Sequence, residues 1–189
     1  MILPIYLYGQ PVLRQEAEDV TPDYPELNKL IDDMFQTMYE SDGIGLAAPQ
    51  VGLGIRMVVI DADVLKDTYP ELEGLKLTLI NPEVDVLEDG ERCTREEGCL
   101  SVPGLHEPVT RIEKVRVNWL DKDFKEHEQV FEGFLARIIQ HECDHLDGIL
   151  YVDRVAPIRK QLIRNKLNNI ARGKVNCDYK FHPNKPIKR

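Results

Sequence analysis

The chain has 189 residues, of which 42% are hydrophobic and 30% charged, and a formal net charge of -9. This length and composition suit one globular domain with a buried core, and the absence of a long apolar run argues against a membrane protein. The apolar start MILPIYLYGQPVL lacks the basic segment and cleavage site of a signal peptide, so a cytoplasmic protein is expected. In that compartment the four cysteines are expected to be thiols or metal ligands: Cys93, Cys99, Cys143 and Cys177.

Charge is unevenly distributed along the chain. From Pro157 onward ten Lys and Arg residues stand against one acid, Asp178, which leaves +9 on this arm and -18 on residues 1–156. An acidic body repels phosphate backbones and a basic arm attracts them, so no DNA-binding surface is expected on the body. The arm is either a docking segment for nucleic acid or simply a solvated basic helix and tail.

Periodicity predicts an α+β fold. TPDYPELNKLIDDMFQTMYESDG, residues 21–43, has apolar residues at helical spacing and predicts a first helix that ends before Gly43. A loop, residues 63–74, is expected between the first two of the predicted strands. Four short runs predict strands of a largely antiparallel sheet: IRMVVID (55–61), KLTLINPEV (76–84), KVRVNWLD (114–121) and EHEQVFE (126–132).

Helical spacing returns in the last third of the chain. A second predicted helix ends at Gly148, and PIRKQLIRNKLNNIARG, residues 157–173, predicts a third. KVNCDYKFHPNKPIKR, residues 174–189, is expected to be a flexible basic tail. The apolar stripe of the second helix is predicted to contain, beside two histidines, Phe131, Phe134, Leu135 and Ile138.

The stretch RIIQHECDHLDGIL, residues 137–150, contains an H-E-x-x-H pattern formed by His141, Glu142 and His145. On a helix this spacing places both imidazoles on one face, about one turn apart, where they can bind one metal ion. The alternative interpretation is a helix with an ordinary polar face. A hydrolytic metal site needs one more protein ligand, which has to come from elsewhere in the chain.

Two familiar sources of a third ligand are excluded downstream of the pattern. The thermolysin arrangement uses a later glutamate, but no glutamate follows Glu142. The metzincin pattern requires a histidine at the position that Tyr151 occupies. The third ligand is therefore expected upstream.

Upstream, the soft candidates are Cys99, in the glycine-flanked turn EEGCLSVPG, and Cys93, with His106 and His127 as imidazole alternatives. Cys143 is set aside, because two residues along a helix is a rotation of about 200° away from the histidine face. The chemistry favours Cys99 but leaves the others open, since a lone cysteine is often an inert buried residue. If Cys93 and Cys99 both joined the histidines, the result would be a closed structural zinc module rather than an enzyme.

Three motifs carry a specific resemblance. GIGLAAPQ (43–50), EGCLS (97–101) and QHECDHLDG (140–148), in this order and at this separation, resemble the motifs of the peptide deformylase family. Members of that family remove the formyl group from N-formylmethionyl nascent chains. The resemblance implies largely antiparallel sheets packed around the H-E-x-x-H helix, with an N-terminal and a C-terminal helix. It also implies one catalytic domain over residues 1–173, followed by the basic tail 174–189, and it departs from the compact bacterial form in the loop around 63–76 and in the tail.

The resemblance implies a role for each motif residue. Glu142 corresponds to the general base, and three ligands leave a fourth metal position for a water molecule whose pKa the metal lowers. The implied metal ligands are Cys99, His141 and His145. The implied donors to the developing oxyanion are Gln50 and the backbone N–H of Leu100.

The substrate-binding residues are expected beside the metal. Ile44 and Gly45 are implied to lie along a peptide that adds as an extra β-strand. Phe134 and Ile138, seven and three residues before His141, are expected to wall an apolar pocket for the methionine side chain together with Ile44. Arg137 shares this helix face and is expected to cap the rim of the pocket.

The donor set does not identify the metal. One thiolate and two imidazoles suit Zn²⁺, Fe²⁺, Co²⁺ and Ni²⁺, and the resemblance implies Fe²⁺ in the cell. It further implies that the basic C-terminal helix and tail dock on the ribosome near the exit tunnel. A structural zinc module, another type of metallopeptidase and a nucleic-acid-binding protein are the alternative functions.

Overall fold

The computed structural model describes residues 1–184, which contain three α-helices and nine strands. The helices are α1 (Leu27–Glu40), α2 (Gly133–Leu146) and α3 (Pro157–Ala171). The strands are β1 (Ile5–Tyr6), β2 (Gly45–Ala47), β3 (Met57–Asp61), β4 (Lys76–Val86), β5 (Arg92–Cys99), β6 (Val102–Ile112), β7 (Lys114–Leu120), β8 (Glu126–Glu132) and β9 (Phe181–His182). No helix in this range is long and apolar enough to cross a membrane. The α+β fold class is confirmed.

The strands form three sheets. The largest has the order β2-β3-β4-β7-β8 and is antiparallel throughout, so β2 is an end strand whose outer edge has no strand partner within residues 1–184. All four predicted strand runs lie in this sheet. The strands β5 and β6 form a separate antiparallel hairpin, and β1 pairs with β9 in parallel.

Helix α2 is the centre of the fold, with twelve of its fourteen residues buried. Leu135, Ile139 and Leu146 pack in an apolar cluster under the large sheet, and a second cluster joins α1, α3 and the start of the chain. Gly133, at φ +66°, adopts a left-handed conformation that turns the chain from β8 into the helix. Because the helix begins there, Phe131 lies in β8 and not in the predicted helical stripe. A helix buried on all sides can hold polar groups away from bulk water.

Two segments contain structure that the sequence pattern did not predict. Residues 92–112 form the β5–β6 hairpin, which places the EGCLS motif at its turn. The loop 63–74 contains two short 3-10 turns, Asp63–Leu65 and Pro70–Leu72, and Leu72 is fully buried. The longer loop is therefore anchored to the body of the protein through Leu72.

Residues 174–184, which we call the C-terminal strap, also pack against the body. β9 lies within the strap and pairs with β1, and the N–H of Leu7 donates to the carbonyl of His182 at 2.9 Å. Three strap side chains join the second apolar cluster: Val175, Tyr179 and Phe181. The expectation of a flexible tail is corrected for the strap, because its alternate residues carry apolar surface that the body can bury. Residues 185–189 of the expected tail lie outside the described residues.

Candidate active site

Three of the predicted ligands meet at one point. Helix α2 presents His141 and His145 from one face, and the end of β5 presents Cys99. Their ligand atoms all lie within 4.8 Å of one another, and the Cys99 Sγ lies 3.4 Å from the His145 Nε2. In the described part of the chain no other three such side chains are grouped in this way. The hairpin therefore supplies the ligand that the helix lacks.

The remaining candidate ligands lie elsewhere. Cys93, six residues earlier on β5, is outside the group, so residues 1–184 do not form the closed four-ligand zinc module. Cys143 is buried in the apolar cluster under the large sheet. His127 stacks on Trp119, with ring centroids 5.2 Å apart, and its Nε2 lies 2.7 Å from a carboxylate oxygen of Asp121.

The surroundings of the two histidines fit a divalent transition metal. The His141 Nδ1 lies 2.9 Å from the Glu97 Oε2, an arrangement that orients the ring and leaves Nε2 for a metal. Burial lowers the pKa of His145 well below its usual range, which keeps that imidazole in the neutral form that ligates metals. One thiol sulfur and two imidazole nitrogens are a donor set that Fe²⁺, Zn²⁺, Co²⁺ and Ni²⁺ all accept.

Glu142 is a buried carboxylate beside this group. It is 6% exposed, and its Oε2 has no hydrogen-bond partner within the described residues. Burial raises the pKa of Glu142 to about 7, so the carboxyl can both take up and release a proton near neutral pH. A Cβ on Gly45 would lie 2.5 Å from the Glu142 Oε1, so only glycine allows β2 to run this close to the carboxylate.

Gln50 directs its amide nitrogen toward the same point. The Gln50 Oε1 accepts a hydrogen bond from the N–H of Ala47 at 2.9 Å, which fixes the orientation of the amide group. Its Nε2 then lies 3.3 Å from the Cys99 Sγ and 3.4 Å from the Ser101 Oγ. Leu100 occupies the adjacent turn between β5 and β6 and borders the cavity. Both predicted oxyanion donors therefore lie next to the predicted ligands.

A buried ionic network holds the hairpin against α2. Arg111 on β6 donates to both carboxylate oxygens of Glu97 at 2.7 and 3.0 Å, and to Asp144 on α2 at 2.9 Å. Burial favours the neutral acid, but the hydrogen bonds from His141 and Arg111 outweigh it and hold the pKa of Glu97 well below its usual range. Sequence reasoning missed these three partners, although Glu97 and Asp144 lie inside the quoted motifs.

Arg137 belongs to this network, which corrects its expected position at the rim. Its side chain is 2% exposed and donates to the carboxylates of Glu97 and Glu113 at 2.6 and 2.8 Å. It also donates to the carbonyls of Cys93 and Val109 at 2.8 and 3.0 Å. Four acceptors in the interior hold the guanidinium inside the protein. Arg137 still lines the cavity, but as a buried part of its wall.

A cavity of about 550 Å³ opens in front of the metal-ligand group. Ile44, Phe134 and Ile138 line it together with Glu142, and His106 borders it without joining the ligand group. The loop 63–74 supports this wall, because Tyr69 stacks on Phe134 with ring centroids 4.4 Å apart. The volume suits a small ligand or the end of a peptide. The strap residues 176–179, which the sequence did not suggest, also line it.

Fold and site together define an H-E-x-x-H protein with a Cys-His-His donor set and a buried carboxylate. The sequence model of the polypeptide deformylase family matches residues 2–161. The chain belongs to this family.

Curated relatives and solved structures agree with this assignment. The peptide deformylase of Flavobacterium johnsoniae is 46% identical over 188 residues, which cover 96% of this chain and 95% of that protein. The peptide deformylase of Cytophaga hutchinsonii is 43% identical over the full length of both chains. A crystal structure of a peptide deformylase from Legionella pneumophila superposes with a TM-score of 0.77 at 39% identity, covering 89% of this chain and 95% of that one. The resemblance seen in the three motifs is confirmed over nearly the whole chain.

Proposed function

We propose that this protein is a peptide deformylase that hydrolyses the N-formyl group of N-formylmethionyl nascent peptides and releases formate. The observation that carries the proposal is the orphaned carboxylate of Glu142 beside the ligand group Cys99, His141 and His145. A buried carboxyl with a free oxygen, at the end of a peptide-sized cavity, suits proton transfer in amide hydrolysis.

The three ligands would hold one divalent metal, and we propose Fe²⁺ in the cell, with Zn²⁺, Ni²⁺ or Co²⁺ able to replace it. When bound, the metal supplies Lewis-acid chemistry, which polarises the formyl carbonyl and lowers the pKa of water. Glu97, held as a carboxylate, keeps the His141 ring oriented for this binding.

Glu142 acts as the general base and then as the acid. Its carboxylate accepts the proton of the attacking water and later donates it to the departing amine, two tasks that a pKa near 7 balances. Gln50 and the backbone N–H of Leu100 donate to the carbonyl oxygen as negative charge develops on it. A donor of this kind typically stabilises the transition state by about 2.7–4 kcal/mol.

The peptide binds along β2. As the end strand of the large sheet, β2 offers an unpaired edge at Gly45, where an extended peptide can add as a further strand. The methionine side chain then enters the apolar pocket formed by Ile44, Phe134 and Ile138. A flexible thioether suits such an irregular apolar space.

One preparation tests the proposal against its alternatives. Protein purified without oxygen is analysed for metal, and formate release is measured on N-formyl-Met-Ala-Ser with N-acetyl-Met-Ala-Ser as the control substrate. We expect about one metal per chain and hydrolysis of the formyl peptide alone. Metal without turnover would favour a structural zinc module, and cleavage at internal peptide bonds would favour another type of metallopeptidase.

We further propose that the basic arm docks the enzyme on the ribosome, which implies a cytoplasmic location. Helix α3 supports this, because Ile158 and Leu162 are 64% and 71% exposed on its surface and Lys160, Arg164 and Lys166 are exposed around them. Contacts between such cations and phosphates weaken steeply as salt rises.

Cosedimentation with ribosomes across a salt series tests the docking. The double variant Lys160→Glu/Lys166→Glu should bind more weakly and with a flatter salt dependence, while hydrolysis of a short formyl peptide is retained. A second variant ends at Asn184 and so removes only residues 185–189. A longer deletion would include the strap and would also remove β9 and part of the cavity wall. Ribosome binding equal to wild type in both variants would leave the arm as a solvated helix and tail.

A further inference from the structure

The C-terminal strap is part of the active-site cavity, although it lies beyond residue 161, where the match to the family model ends. Four consecutive strap residues, 176–179, border the same cavity as Cys99 and Glu142. Burial alternates along this extended segment: Cys177 and Tyr179 are half-buried, and Asn176 and Asp178 are exposed. The strap therefore presents exposed polar side chains at the mouth of the cavity.

The strap is anchored on both sides of this wall. The Tyr179 hydroxyl donates to the carbonyl of Leu100 at 2.7 Å, which ties the strap to the turn beside the metal ligands. Past the wall, the Gln10 Nε2 donates to the carbonyl of Pro183 at 2.8 Å, in addition to the β1–β9 pairing. A segment held at both ends by hydrogen bonds can act as a binding surface with a defined shape.

The strap stands close to the entry of β2. A Cβ on Gly43 would lie 3.0 Å from the Leu100 Cδ1, so the residues just before β2 pack against the turn that Tyr179 holds. A peptide with its formyl group at Glu142 and its methionine in the apolar pocket has its following residues outside that pocket. The mouth of the cavity, where the strap lies, is the space left for them.

Among the residues that line the cavity mouth, exposed carboxylates outnumber exposed cations. Four exposed carboxylates from three segments border it, and none forms an ion pair within residues 1–184: Glu40, Asp42, Glu96 and Asp178. The guanidinium of Arg137, which also borders the cavity, is buried and neutralised by two glutamates of its own. The orphaned Oε2 of Glu142, buried in the same cavity, marks where the reacting end of a ligand belongs.

We propose that strap residues 176–178 form the subsite for the residues that follow N-formylmethionine, and that Asp178 makes this subsite prefer a basic over an acidic side chain. The proposal rests on the deformylase function above and deepens it. The Asp178 carboxylate attracts a lysine side chain and repels a glutamate side chain. Both effects raise the ratio of kcat/KM for a lysine peptide to that for a glutamate peptide, so this ratio is the most sensitive measure of the preference.

The test compares kcat/KM for N-formyl-Met-Ala-Lys and N-formyl-Met-Ala-Glu at low ionic strength. Wild type should prefer the lysine peptide by about tenfold or more, because several exposed carboxylates each contribute roughly twofold to fivefold. The preference should shrink in 0.5 M salt, where the Debye length falls below about 5 Å. Asp178→Asn should reduce the ratio by about threefold, and Asp178→Lys should reduce it further. Asp19→Asn, which removes an exposed carboxylate away from the cavity, is the matched control and should leave the ratio unchanged.

The outcomes distinguish a failure of the strap subsite from a failure of the deformylase function. Failure of both peptides to release formate would overturn the deformylase proposal itself. Formate release at equal rates from both peptides, or a ratio that Asp178→Lys leaves unchanged, would overturn the subsite while deformylation stands.

Discussion

Replacement of Arg137 by methionine tests whether this residue holds the interior together or serves the substrate. The guanidinium is 2% exposed and its carboxylate partners, Glu97 and Glu113, are 5% and 3% exposed. Methionine has a similar length but no donors, so both carboxylates lose one cation and the carbonyls of Cys93 and Val109 lose a donor. Breaking a buried ion pair by removing one partner costs about 3–5 kcal/mol. That loss is a large share of a typical unfolding free energy of about 5–15 kcal/mol.

Arg95→Met is the matched control, because Arg95 donates to the same Glu113 from a position that is 38% exposed. An ion pair with one solvated partner contributes about 1 kcal/mol or less. Burial raises the pKa of Glu113, but hydrogen bonds from Arg95 and Arg137 outweigh this and lower it overall. Arg137→Lys restores the charge but not the planar fork that reaches several acceptors, and should recover only part of the loss.

Urea denaturation at pH 7 measures the unfolding free energies of the three variants and of wild type, with kcat and KM determined on the folded fraction. We expect the midpoint of Arg137→Met to fall far below that of Arg95→Met with little change in slope. The reasoning would be refuted if Arg137→Met lost no more stability than Arg95→Met. A higher KM with an unchanged unfolding free energy would instead support the rim position that the sequence suggested.

Three further predictions follow from the site. Glu142→Gln should retain metal but lose most turnover, because an amide cannot accept the proton; wild-type turnover in this variant would contradict the general-base role. Cys99→Ala should lose tight metal binding while Cys93→Ala and Cys143→Ala keep it, as metal analysis after identical dialysis will show; loss in Cys93→Ala would instead indicate a closed zinc site. The lowered pKa of Glu113 contributes stability above its unfolded pKa of about 4.3 that is lost as pH falls below it, so wild type should lose more unfolding free energy between pH 7 and 3 than Glu113→Gln. Equal losses in chemical unfolding would exclude that contribution.

Helix geometry alone was enough to predict the part of the candidate site that lies on α2. The spacing of His141, Glu142 and His145 specifies a common helix face, because the rotation per residue of an α-helix is the same wherever the helix lies. The same is true of the four strand runs, whose alternation is a property of the strand itself and which all lie in the large sheet. Chemistry at the level of the sequence left Cys93 and Cys99 both open as the third ligand, and only the motif resemblance separated them.

The hairpin that presents Cys99 could not be predicted from local sequence patterns, because tertiary contacts stabilise it. Its strands escaped a search for apolar alternation because Glu97 and Arg111 occupy positions that face the interior, where a strand pattern normally has apolar residues. The two charges pair with each other across the hairpin, and α2 supplies further partners, Asp144 for Arg111 and Arg137 for Glu97. The position of Arg137 has the same origin, since its carboxylate partners lie 24 and 40 residues earlier in the chain.

The strap has a strand pattern that can be seen in the sequence, but only pairing with a remote segment makes it a strand. Val175, Cys177, Tyr179 and Phe181 alternate with polar residues, a period of two that is present in the sequence. Interleaved lysines and the neighbouring basic helix made the segment look like a solvated tail. Its strand exists because β1, more than 170 residues earlier in the chain, supplies backbone partners, as in the hydrogen bond that the N–H of Ile5 donates to the carbonyl of Lys180 at 2.8 Å. Pairing over such a separation depends on the whole fold bringing the two ends together, because a strand has no hydrogen-bonding partner within itself.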